Sequence, residues 1–261
     1  IMSLKDKRIF ITGGSRGIGL AIALRAAQDG AKIAIAAKTT DPHPLLPGTI
    51  HTAAKEIEDA GGTALALQCD IRDENAIAEA IKATADAFGG IDILVNNAAI
   101  FASLEKKGFL DISSEEWDRL MAVNLRAPAL LAASFAQALQ PSGQGVIINL
   151  IDQRVWKLTP QFYSYTLSKA ALWAATQTMA QSFAPHIRVN AIGPGPVLPN
   201  GPQGEGAFAK EVAGLPLARS VDPEEIAAAV AYLLAARSVT GQMVAVDGGQ
   251  HLGWRTPDII D

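Results

Sequence analysis

Cysteine is almost missing from the 261-residue sequence: Cys69 stands alone, so no disulfide can form within the chain. It closes the apolar stretch Ala64–Cys69 and reads as a small buried hydrophobe. The four histidines, His43, His51, His186 and His251, share no metal-ligand spacing, so no metal site is expected. Charge is sparse at 18%, below the usual ~25%. Twenty-two basic against 26 acidic side chains leave a net charge of −4, with no basic excess to attract a phosphate backbone. A nucleic-acid partner is therefore not expected. No apolar run reaches the ~18 residues of a membrane span. The eleven residues Ile226–Ala236 come nearest and read as a core helix. Glycine and charge interrupt the first residues before any secretory apolar stretch can develop, and the expectation is a cytoplasmic protein without membrane contact.

What is present is apolar material, 49% of residues, enough for a sizeable core. Short β-branched runs alternate with longer Ala/Leu-rich stretches of helical pattern. Strands are read at Arg8–Thr12, Lys32–Ala36, Thr63–Gln68, Ile91–Val95, Gly145–Leu150, Ile187–Ile192 and Gln242–Val246. The early ones are nearly continuous apolar runs, as parallel strands covered on both faces require. The pattern predicts an α/β fold, a single-domain doubly wound Rossmann fold over 1–261, its seven-stranded parallel sheet flanked by helices on both faces.

Local signals refine this. Ser113–Glu116 is a capping box that opens a long helix through Leu139, with Pro128 inside it as a kink or a register change. Asp222–Pro223–Glu224–Glu225 combines an N-cap, a first-turn proline and first-turn acid. Two segments break the rhythm. Lys38–Gly48, with three prolines, reads as an extended loop. Gly193–Gly206 has nine glycines and prolines in fourteen positions, a composition that argues against regular structure. With the residues up to 216 it reads as a substrate loop, mobile until a ligand binds.

Thr12–Gly19 follows the first strand and opens the first helix. Gly13, Ser15, Arg16, Ile18 and Gly19 within it are candidates to let a pyrophosphate reach free N–H groups at the helix N-terminus. The end of the second strand decides between the two nicotinamide dinucleotides. An acid there would hold ribose hydroxyls, but the residues are Ala36–Ala37–Lys38–Thr39–Thr40. Lys38 and Arg16, with a hydroxyl from Thr39 or Thr40, suit a 2′-phosphate, so NADPH/NADP+ is the expected cofactor. Further on, Tyr165 and Lys169 are four apart, on one face of a helix. A tyrosine of pKa ~10 is a poor acid near neutrality, and a neighbouring ammonium would lower it.

The glycine loop, Asp70–Ile71, Asn96–Ala99, Asn124, Tyr165/Lys169, Pro194–Gly195 and Asp247–Gly249 occur in one order along almost the whole chain. Together they resemble the short-chain dehydrogenase/reductase family. The resemblance implies that Asp70 and Ile71 flank the adenine, that Asn97 and Ala98 run along the cofactor, and that Pro194 and Gly195 meet the nicotinamide amide. Val197 joins the cofactor set. Lys169 would also hold the nicotinamide ribose, and Asn124 would help anchor a water-linked proton path to it. The resemblance also implies hydride transfer from the pro-S side and a homotetramer.

One position departs from the family pattern. Most members carry serine thirteen residues before the tyrosine, and counting back from Tyr165 gives Asp152. An aspartate donates a proton only where desolvation raises its pKa, and when ionised it grips an amino or amidine group. Both properties suit C=N better than a simple ketone. The catalytic half thus resembles the pteridine and dihydromonapterin reductases, in which Asp, Tyr and Lys act together, and Phe101 matches the ring that stacks on the pterin there. Trp156 is a further candidate substrate contact with Phe101, Asp152 and Tyr165, and Phe162 and Phe208 fall near the same loops. Against this, Gly17 stands where that branch tends to carry arginine, and the N-terminal half, through Lys38–Ala54, resembles hydroxysteroid-dehydrogenase-like proteins. Three readings follow: a reductase of a dihydropterin or dihydrofolate-like substrate, a reductase of aldehydes, ketones or ketoacyl groups, and a non-catalytic NADP(H)-binding sensor.

Overall fold

β1 (Arg8–Thr12) and β2 (Lys32–Ala37) are apolar almost end to end and pair in parallel, Ile9 opposite Ile33 and Ile11 opposite Ile35. β3 (Thr63–Gln68) extends the sheet on one side. On the other, β4 (Ile93–Asn96), β5 (Gly145–Leu150), β6 (Ile187–Pro194) and β7 (Met243–Val246) follow. The order is β3-β2-β1-β4-β5-β6-β7, all parallel. This computed structural model describes residues 4–42, 48–101, 108–139, 143–199 and 204–254.

Alternate residues of each strand feed two cores. Ile9, Ile11, Ile33 and Ile35 pack beneath α1 (Gly17–Gln28), α2 (Ile50–Asp59) and α8 (Pro223–Ala235). Phe10, Ala34 and Leu94 face α3 (Glu74–Phe88) and α5 (Ala127–Ala138), where Phe135 is fully buried. Burying each isoleucine, leucine or phenylalanine among these contributes about 1.5–3 kcal/mol. The strand order reverses between β1 and β4, and in a doubly wound sheet the crevice at that reversal takes the ligand.

Two expectations need correction. The helix expected through Leu139 is divided: α4 (Ser114–Met121) passes into a wider π-helical turn over Ala122–Arg126 before α5 begins. Pro128 explains the break, because it has no N–H to give the carbonyl of Asn124 four residues earlier. The Gly/Pro-rich segment is more regular than its composition suggested. β6 runs to Pro194, which pairs with Val246, and α7 (Gly204–Ala213) takes in the last three positions. Residues 201–203, on which much of the expected mobility falls, lie outside the described residues. Among those described, no helix is long and apolar enough to cross a membrane.

Candidate active site

The turns after β1 and β4 are strapped together. Thr12 Oγ1 accepts the N–H groups of Asn97 and Ala98, each at 3.0 Å. Asn97 Nδ2 donates back to the carbonyls of Thr12 (2.9 Å) and Gly13 (3.1 Å). Only glycine fits at 19, since a Cβ there would lie 2.5 Å from both Asn97 Nδ2 and the Gly13 carbonyl. Gly13 itself has φ +66°, open to glycine at little cost. The strap holds the glycine loop along one wall of an open cleft of about 1310 Å³.

Gly13, Ser15, Arg16 and Ile18 line this cleft, as do Lys38, Thr39, Asp70 and Ile71. Farther along it are Asn97, Ala98, Pro194, Gly195 and Val197. Gly19 is absent from the lining, and its part is the close approach to Asn97. At the far end of β2, Arg16 Nη2 donates to Thr39 Oγ1 at 2.9 Å, while its Nη1 is buried with no partner among the described residues. An orphaned guanidinium N–H beside a hydroxyl is a donor set for an anion, and Lys38 adds a second cation. The residues present therefore fit the phosphorylated dinucleotide. Lys38 also bridges to Asp70 at 3.2 Å. Sequence reading missed Arg72, which lines the cleft and pairs with Asp70 at 2.6 Å. Its hydrogen bonds, with that of Lys38, hold the Asp70 carboxyl well below the usual carboxylate range. A basic residue two positions beyond Asp70 was the available signal.

The candidate catalytic groups sit at the other end. Tyr165 and Lys169 lie on α6 (Tyr163–Phe183), and Asp152 follows β5. Asp152 Oδ1 accepts the backbone N–H of Arg154 at 2.7 Å, which leaves Oδ2 to accept the Tyr165 O–H at 2.9 Å. Lys169 is buried and its Nζ donates to the Leu150 carbonyl at 2.9 Å. Desolvation pushes the Asp152 carboxyl above its ordinary range, against the opposing influence of Arg154, Tyr165 and Lys169. Burial, reinforced by Asp152, holds the Tyr165 phenol well above its usual value. Burial also lowers Lys169 to about 8. Among the charges nearby, Arg154 is the one that opposes the rise of the phenol.

Phe101 stands between two rings, 4.7 Å from Phe162 and 4.6 Å from Tyr165 between centroids, and forms an aromatic wall of the cleft. Phe208 lines the cleft as well. Trp156 does not. It is 44% exposed and packs edge-on against His251 at 5.5 Å, outside the lining. The Asn124 side chain also lies away from the cleft surface. Its Nδ2 donates to the Ile100 carbonyl and to Ser168 Oγ, and its Oδ1 accepts the Ile100 N–H. It clamps the β4 turn to α6 one residue from Lys169, and its side chain makes no bond to the lysine. Cys69 is buried at the cleft margin, where desolvation raises its thiol to about 11.

Fold and site together define a nicotinamide-dinucleotide oxidoreductase of the doubly wound type. The model of the enoyl-(acyl carrier protein) reductase family matches residues 13–251, and the chain belongs to the short-chain dehydrogenase/reductase family, which binds NAD(P). The chain is 46% identical over 190 residues to hydroxysteroid dehydrogenase-like protein 2 of Danio rerio, across 71% of this chain and 45% of that one. The Homo sapiens protein of the same name is 44% identical over the same length, across 44% of its own chain. The chain therefore spans less than half the length of these relatives. Among solved structures, FolM alternative dihydrofolate reductase 1 from Brucella canis, complexed with NADP, is 42% identical, with a TM-score of 0.88 and 100% coverage of both chains. The Brucella suis protein, also with NADP, is 42% identical with a TM-score of 0.86, over 98% of this chain and 99% of that one.

Proposed function

We propose that the chain is an NADPH-dependent reductase that adds hydride across the C=N bond of a dihydropterin or dihydrofolate-like heterocycle. The observation that carries this reading is the Tyr165–Asp152 hydrogen bond, with the carboxyl held above its ordinary range by desolvation. The likeness to two FolM alternative dihydrofolate reductases supports it.

NADPH, when bound, supplies the hydride. Arg16, which bonds Thr39, would hold the 2′-phosphate with Lys38 and Thr39, and Lys169, fixed by the Leu150 carbonyl, would hold the nicotinamide ribose. Phe101, buttressed by Phe162 and Tyr165, offers a flat face to a planar ring. The ring nitrogen takes its proton from the Tyr165 hydroxyl. With their hydrogen bond reversed, the Asp152 carboxyl returns a proton to the phenol oxygen. The negative charge ends on Asp152, the weaker base of the two, so no isolated phenolate has to persist in a desolvated pocket. After product leaves, Asp152 recovers its proton from solvent.

The test is NADPH oxidation by the purified protein with a dihydropterin, followed by loss of reduced-nicotinamide absorbance. Turnover that vanishes in Tyr165→Phe is expected. An unchanged rate in that variant refutes the mechanism, whereas NADPH binding without turnover of any dihydropterin or carbonyl substrate by the unaltered protein favours a non-catalytic NADP(H) sensor. The hydroxysteroid-dehydrogenase-like relatives favour a second reading, a carbonyl substrate. Asp152→Ser separates the two: it impairs dihydropterin reduction more than ketone reduction if the first holds, and equally if it does not.

A further inference from the structure

Beyond the catalytic trio, two arginines on different elements line the substrate end of the cleft: Arg119 on α4 and Arg154 in the turn after β5. Neither guanidinium bonds to Asp152, Tyr165 or Lys169, although the Arg154 charge acts on the first two. Arg154 is positioned by its neighbours. Nη1 donates to Thr159 Oγ1 at 3.0 Å, and the guanidinium carbon lies 5.4 Å from the Phe162 ring centroid, in cation–π contact with the aromatic wall. Its Nε is buried with no hydrogen-bond partner among the described residues. A guanidinium tethered by one hydrogen bond and a ring face, with a donor to spare, has unused capacity for an anion.

Arg119 is the outer cation. Its contact with Glu116, at 3.5 Å, is long, and its side chain is 44% exposed. Leu120, the next residue, is buried against Phe101, Phe162 and Tyr165, so α4 carries Arg119 beside the same aromatic cluster that Arg154 flanks. Two carboxyls line the same end: Asp152, whose pKa desolvation raises, and Glu211 on α7, engaged by a hydrogen bond from Gln250 Nε2 at 2.9 Å.

We infer that Arg154 and Arg119 form a subsite for an anionic tail, a carboxylate or phosphate, carried by the heterocycle whose ring lies against Phe101. The inference rests on the proposed reductase reading and narrows its substrate class, from any dihydropterin to one with a negatively charged substituent. A planar fork matches either anion in two-point fashion.

The test compares three probes with NADPH: dihydrofolate, with a carboxylate tail; a dihydroneopterin phosphate ester; and a dihydropterin with a neutral methyl side chain. Arg154→Gln raises KM for the anionic probes about tenfold, as expected for one charge-assisted contact. Arg119→Gln raises it about threefold, the smaller effect of an exposed charge. KM for the neutral probe moves less than twofold in both, whatever the change in kcat, and Arg154→Lys recovers part of the loss. Raising ionic strength weakens the anionic probes selectively. A KM rise confined to dihydrofolate assigns the carboxylate, one confined to the ester the phosphate, and both support the subsite. Equal changes for all three probes, or a loss in kcat alone, overturn it by making Arg154 a positioning residue for Asp152. Calorimetric binding of dihydrofolate to the NADP+-loaded protein separates this inference from the reading beneath it. Arginine-dependent binding without turnover refutes the reductase and keeps the subsite. Turnover with arginine-independent binding does the reverse.

Discussion

Replacing Asp152 with asparagine keeps the shape of the site and removes its exchangeable proton. The geometry limits what else changes. The amide oxygen can still accept the Arg154 N–H now at 2.7 Å, and the amide NH2 then faces the Tyr165 oxygen now at 2.9 Å. The phenol must rotate to accept, so both contacts survive, one with its polarity reversed. Binding should therefore change little, with KM within about threefold of the unaltered protein, since no buried group is left unpaired. The rate should not survive. A positioned general acid contributes about 10²–10⁴-fold, which is ~3–5 kcal/mol of barrier. The pH dependence supplies a second reading. Asp152 is held above its ordinary range, so kcat falls as pH rises through that raised value, and Asp152→Asn loses this limb. Stability follows the same sign. A carboxyl with a raised pKa in the folded state contributes fully below its unfolded value of ~3.9 and loses that contribution as pH rises through the folded value. The variant lacks this decline, so its stability relative to the unaltered protein improves toward alkaline pH. The assay is kcat and KM for NADPH oxidation with a dihydropterin from mildly acidic to alkaline pH, beside urea unfolding at the same pH values. A variant that keeps more than about a tenth of kcat, with the original pH profile, would falsify the relay.

Lys169→Met should abolish turnover yet stabilise the free protein at neutral pH by about 2 kcal/mol, because the buried ammonium, lowered to about 8, costs more than the lost bond to the Leu150 carbonyl. The sign is that of a depressed lysine: unaltered protein gains stability as pH rises from about 8 toward its unfolded value of ~10.4, and the variant does not. Urea midpoints at pH 7 and at pH 10 check it, and a variant less stable at both contradicts the burial argument. Arg16→Ala should cut the preference for NADPH over NADH about tenfold or more, read as the ratio of kcat/KM values, with little change for NADH. An equal loss with both cofactors would remove Arg16 from the 2′-phosphate site. Gly19→Ala should weaken NADP+ binding measured by calorimetry and lower stability by about 1–3 kcal/mol, since the new methyl meets Asn97 and the Gly13 carbonyl at 2.5 Å.

The seven strands, their parallel pairing and the glycine loop were legible because each depends on local pattern: apolar runs of strand length, helical spacing between them, and glycines at a strand-to-helix turn. The Tyr165/Lys169 pair was legible for the same reason, since four-residue spacing on a helix fixes a common face whatever surrounds it. The π-helical turn was half visible. Pro128 announced a missing N–H, but whether the helix bends or widens depends on what packs against Asn124. Trp156 misled because an aromatic close to a catalytic residue in sequence can still point elsewhere, here toward His251.

The sequence by itself determined the architecture, the class of cofactor and the candidates for the catalytic groups, because local pattern, charge and spacing travel with the chain. The tertiary structure alone decided how those groups behave. Pairing Asp152 with Tyr165 across thirteen residues, burying Lys169 against Leu150 and setting Arg72 beside Asp70 are matters of approach and desolvation. Desolvation has no signature in sequence, since the same ionisable side chain shifts up, down or not at all according to what excludes water from it.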